Sequence, residues 1–143
     1  MKITEILTED EDVIVPGNLY HVTFTESVPK IQAKGILPLQ SSNWVQAGSK
    51  QRYGSGEIFA FDNAVDAIRW ASRMDWDFHQ QIGSGKISII TFVSDQPWEI
   101  DTSDPLGQAS ATGHWLKRRR FVPAEDIISA TTLTSEMARK QIF

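Results

Sequence analysis

The chain carries three histidines, eighteen acidic residues and no cysteine. Any chemistry it performs must rest on imidazole, carboxylate, hydroxyl and aromatic groups. The lack of cysteine excludes disulfides, thiolate nucleophiles and cysteine metal sites. His21, His79 and His114 lie far apart and form no HExxH spacing, so no metal centre is expected. No GxxxxGK[ST] loop and no GxSxG elbow occurs, which leaves phosphate-loop and serine-hydrolase chemistry without support. Three groups of residues remain. His21 stands in Tyr20-His21-Val22-Thr23, where a strand would put His21 and Thr23 on one face and Tyr20 and Val22 on the other. Glu99, Asp101 and Asp104 are clustered in PWEIDTSDP. Lys50, Arg52 and Tyr53 lie between glycines in a polar, aperiodic stretch over 41–56, long enough to cover a dinucleotide, and Lys50 or Arg52 could meet a phosphate. Lys117–Arg120 (KRRR) has the look of a nucleic-acid patch. Strand alternation would divide those side chains between two faces, and the net charge is −4. An ion-paired strand is expected there, with Arg119 a candidate for the site. Trp70 and Trp76 read as core, and Trp44, Trp98 and Trp115 as loop residues able to wall a pocket.

These residues need elements to hold them. The chain has 143 residues, 41% of them hydrophobic and 22% charged, which fits one globular domain. No apolar run approaches the ~20 residues of a membrane span. Residues 1–16 read as an appendage or cleavable leader and 17–143 as one domain. Leu19–Phe24 reads as a strand, and 26–34 as a short helix with Pro29 in its first turn and Gly35 as its stop. Glu57–Phe61 returns to strand character. Asn63 caps a helix over 64–78, where Ala64, Ala67, Ile68 and Ala71 follow an i, i+3, i+4, i+7 pattern. Lys86–Ser94 is nearly continuously apolar and suits a central strand. Residues 95–116 read as loop. Lys117–Val122 and Ile127–Leu133 read as strands, and Thr134 as the cap of a last helix. Short, numerous strands with few helices imply an α+β fold.

On these residues a resemblance rests. The segment LYHVTFTESVPKIQAKGI, followed by IFAFDNAVDAIRWA, resembles the two signatures of the ADP-ribosyltransferase-fold superfamily, over about residues 18–132. The layout is similar to the small rifampin ADP-ribosyltransferases and also to RNA 2′-phosphotransferases. The resemblance implies a split β-sandwich of two small sheets with flanking helices, and NAD+ bound as substrate between them. It implies that His21 holds ribose hydroxyls and that the ring at position 59 stacks nicotinamide. It also implies that a later carboxylate favours an oxocarbenium-like transition state. That acid is Asp101, with Glu99 and Asp104 as rivals. Tyr20, Thr23, Arg52 and Tyr53 join His21 and Phe59 as NAD-binding candidates. Phe59 departs from the family, which usually has tyrosine there. Stacking survives the change, the phenolic hydrogen bond does not, and Tyr53 is a possible replacement.

The implied activity is NAD+-dependent transfer of ADP-ribose to a protein, nucleic acid or small molecule. One alternative is a non-catalytic nucleotide- or protein-binding module on the same fold. Another is an RNA 2′-phosphotransferase, which would need several cleft arginines. The N-terminal MKITEILTE resembles the leader peptides of some tailed-phage head proteins, cut after Leu-x-Glu, here Leu7-Thr8-Glu9. That resemblance implies a phage protein modifying a host macromolecule in the host cytoplasm, packaged with the virion. Neither a membrane nor, given the acidity, a nucleic acid is the expected principal partner.

Overall fold

A computed structural model describes residues 13–38, 56–101 and 113–143. Arg52, Tyr53, Trp44 and Asp104 lie outside them. The described residues form β1 (Val13–Ile14), β2 (Gly17–Phe24), α1 (Val28–Lys34), β3 (Ile58–Phe61), α2 (Ala64–His79), β4 (Ile87–Ser94), β5 (Trp98–Ile100), β6 (Trp115–Arg118), β7 (Ile127–Thr132) and α3 (Ser135–Lys140). The class is α+β. The strands join in one antiparallel order, β1-β5-β6-β3-β2-β4-β7, rather than in two separate sheets. Its joints are unequal, however: β2 meets β4 in eight residue pairs and β3 in one, Tyr20 with Phe61.

Alternation explains the core. Leu19, Ile90, Phe92, Trp98 and Leu116 pack on one face of the sheet with Ile31 of α1, Ile36 and Val122. Val22, Phe61, Ile87 and Ile89 pack on the other against Ala67, Ile68, Ala71 and Met74 of α2 and against Leu133. Neighbours such as Ile89 and Ile90 therefore serve opposite layers. This accounts for the nearly continuous apolar character of β4.

Local chemistry sets the helix ends. Asn63 Oδ1 accepts from the Asp66 N–H at 2.8 Å, and Asn63 Nδ2 donates to Asp66 Oδ2 at 2.9 Å, a reciprocal cap. Thr134 caps α3 by accepting from the Met137 N–H at 3.1 Å. Gly35 ends α1 at φ 86°, and a Cβ there would strike the Val122 carbonyl. That close approach lets Ile36 and Val122 exchange backbone bonds at 2.9 and 2.8 Å, pinning α1 to the far end of the chain.

Several expectations change. The 95–116 stretch, read as loop, contains β5 and the first two residues of β6. Val13 and Ile14, inside the expected appendage, pair with Glu99 and Trp98. The strand expected over 117–122 ends at Arg118, and Val122 makes only an isolated bridge. Trp76 is 52% exposed, because it falls off the buried stripe of α2, whereas Trp98 is 1% exposed and belongs to the core. Among the described residues no ion pair engages Lys117–Arg120. Arg118 instead lies over the Trp98 ring at 5.7 Å and reaches Ser94 Oγ at 3.5 Å. No helix among the described residues is long and apolar enough to cross a membrane.

Candidate active site

Past the Tyr20–Phe61 pair, β2 and β3 part. A cavity of about 310 Å³ occupies the opening. It is lined by His21 and Thr23 of β2, Phe59 of β3, Trp70 of α2, Trp115 of β6, and Asp101 just past the end of β5. Residues of both core layers reach it, Ile31 and Ile36 from one and Val22 and Met74 from the other. The cavity therefore extends into the thickness of the sheet.

His21 spans the gap where backbone pairing stops. Its Nδ1 lies 2.7 Å from the Phe59 carbonyl oxygen. A carbonyl only accepts, so Nδ1 carries the proton. Burial pushes the imidazole pKa below its ordinary value, while the Phe59 carbonyl pulls the other way. The ring is thus neutral near pH 7, and Nε2 keeps a lone pair able to accept from a ligand hydroxyl.

Asp101 is 2% exposed, and its backbone N–H donates to the Trp115 carbonyl at 2.7 Å. That bond fastens the residue after β5 to the start of β6, so that Asp101 lines the cavity. Trp70, Trp115 and Phe61 form an aromatic wall, with centroids 5.3 Å apart for Trp70–Trp115 and 5.5 Å for Phe61–Trp115, both T-shaped. Trp115 Nε1 is buried and has no hydrogen-bond partner among the described residues.

Three stretches separated in sequence, carrying His21, Phe59 and Asp101, thus line one cavity, and Thr23 joins them. Tyr20 does not. It sits at the closed end of the seam, and its ring packs on Phe143 at 5.7 Å. Glu99 is exposed in β5 opposite Val13 and Lys117, away from the cavity, and Arg119 does not line it either. Lys30 of α1 and Glu57, just before β3, line the cavity without having been singled out in the sequence. For Glu57 a signal existed, since it stands two residues before Phe59 and so on the same side of an extended chain. For Lys30 there was none, because α1 is seven residues long with one buried position.

The other two histidines do different work. His114 Nδ1 meets Asp62 Oδ2 at 2.9 Å and its N–H donates to Asp62 Oδ1 at 2.7 Å, tying β6 to the end of β3. His79 meets Asp75, which also accepts from the N–H groups of Gly83 and Ser84 at 2.8 and 3.0 Å. Burial pushes the Asp75 carboxyl up, but hydrogen bonds from Ser84, Gly83 and His79 together outweigh it and hold the group below the usual carboxylate value. Among the described residues no group of three or more His, Asp and Glu could hold a metal ion. The chain matches no protein-family model and no curated protein.

Proposed function

We propose that the protein binds NAD+ at the parted seam and transfers its ADP-ribose to an acceptor, on an ADP-ribosyltransferase-like split β-sandwich whose split is the one-pair joint between β2 and β3. The observation that carries this is the convergence of His21, Phe59 and Asp101 on one cavity. Its volume of about 310 Å³ suits a small-molecule half, such as nicotinamide with its ribose, with the remainder running out through the mouth.

Each group then has a task. Neutral His21 accepts from a ribose hydroxyl through Nε2 while Nδ1–H stays on the Phe59 carbonyl. The Phe59 ring stacks on nicotinamide. The bond between the nicotinamide nitrogen and ribose C1′ breaks, its electron pair leaves with neutral nicotinamide, and positive charge develops on the sugar. The Asp101 carboxylate faces that charge in a largely water-excluded place, where such stabilisation is strongest. An acceptor oxygen or nitrogen supplies the pair for the new bond to C1′ and loses its proton to water.

Incubation with labelled NAD+ and host lysate tests this. Release of nicotinamide with label transfer is expected, and the absence of both overturns it. One observation favours a second reading, a nucleotide binder without turnover: Phe59 has no phenol to bond the carboxamide or ribose. Calorimetry with NAD+ separates the two, because binding without nicotinamide release selects the binder.

A further inference from the structure

Among the described residues, the ionisable groups lining the cavity are His21, Lys30, Glu57 and Asp101. With His21 neutral, two acids face one ammonium. Lys30 is exposed on α1 and Glu57 is half-buried, and neither makes an ion pair with any described residue. The two are therefore not paired with each other. They stand on different elements, the ammonium on α1 and the carboxylates at the ends of β3 and β5.

This asymmetry restricts how a dinucleotide can lie. Its pyrophosphate carries two negative charges. Against Glu57 and Asp101 these would meet like charges in a place poorly screened by solvent. The α1 side offers the single described cation, with the Ser27 and Thr23 side chains lining the same cavity. We propose that Lys30 is a specificity-determining residue that takes the pyrophosphate of the bound dinucleotide and so selects dinucleotides over nucleosides. This rests on the NAD+ reading of the cavity. It also fixes the polarity of the donor, with its phosphates toward α1 and its scissile ribose toward Asp101.

The test is calorimetry of ADP-ribose and of adenosine against wild type, Lys30→Gln and Lys30→Arg, with melting curves to verify that the variants are folded. Wild-type affinity for ADP-ribose is expected to fall as NaCl is raised. Lys30→Gln is expected to bind ADP-ribose about tenfold more weakly, with a flatter salt dependence and unchanged adenosine affinity. Lys30→Arg, which keeps the charge, should recover most of the loss. Equal ADP-ribose affinity in wild type and folded Lys30→Gln overturns the assignment of Lys30 while leaving NAD+ binding intact. An equal loss for adenosine also overturns it, by showing that the change is not specific to phosphate. Failure of the wild type to bind ADP-ribose or NAD+ overturns the NAD+ reading and this inference together.

Discussion

The two edges of β2 are built from the same eight residues and behave in opposite ways. Along one edge every residue from Gly17 to Phe24 pairs with β4. Along the other, pairing with β3 stops after Tyr20, and a side chain, His21, reaches across to the Phe59 carbonyl instead. The closed edge is backed by Ile87, Ile89, Ile90 and Phe92, all with no exposed surface. The open edge is walled by a neutral imidazole, a half-buried Phe59, a buried acid and three aromatic rings. One edge thus supplies stability and the other forgoes strand pairing and leaves a cavity in the sheet.

Substitutions on the two edges should separate these roles. The largest effect on folding is expected from Ile90→Ala at the closed edge, a loss of about 2–5 kcal/mol in urea denaturation. Phe59→Ala at the open edge should cost clearly less stability yet abolish NAD+ stacking; equal shifts in the two urea midpoints would erase the contrast. Next comes Asp101→Asn, expected to slow nicotinamide release about 10²–10³-fold while NAD+ still binds in calorimetry. A rate within twofold of wild type would remove Asp101 from the transition state.

A smaller effect concerns pH. The folded state lowers the His21 pKa, so below about pH 6.5 the unfolded chain takes up a proton that the native chain resists. The His21 contribution is complete above that pH and is lost as the pH falls toward the folded pKa. His21→Asn places an amide N–H near the Nδ1 position and cannot titrate. Its stability should show a shallower decline over that window, while NAD+ affinity falls because the Nε2 acceptor is gone. The Asp75 contribution fades separately, below the ordinary carboxylate pKa, because its folded pKa is also lowered. The smallest effect is expected for Asn63→Ala, about 1 kcal/mol from the α2 cap, with the cavity and its ligand affinity unchanged.

Much of this frame was legible without coordinates. The helix read over 64–78 spans Ala64–His79, because its apolar spacing and Asn63 cap are local signals. The strands read over 19–24 and 86–94 appear as β2 and β4 for the same reason. β1 and β5 leave no local signal, since two or three residues are too few to display a period. Beside Pro97, Trp98 reads from sequence as a loop residue. Only its packing on Phe92 and the bond from its Nε1–H to Ser94 Oγ at 3.0 Å place it in the core.

The site divides along the same line. Residue type alone limited the chain to imidazole, ring and carboxylate chemistry, and strand alternation put His21 and Thr23 on a common face. Telling Asp101 from Glu99 took the tertiary structure, because both acids lie within three residues of Trp98 and only the folded sheet buries Asp101 at the cavity while leaving Glu99 exposed. The same is true of Lys30 and Glu57, whose approach to the cavity follows from how α1 docks and where β3 leaves β2. Local periodicity and capping act over a few neighbours and can be read along the chain. Which distant strands lie side by side, and where their pairing stops, is decided by packing across the whole sheet.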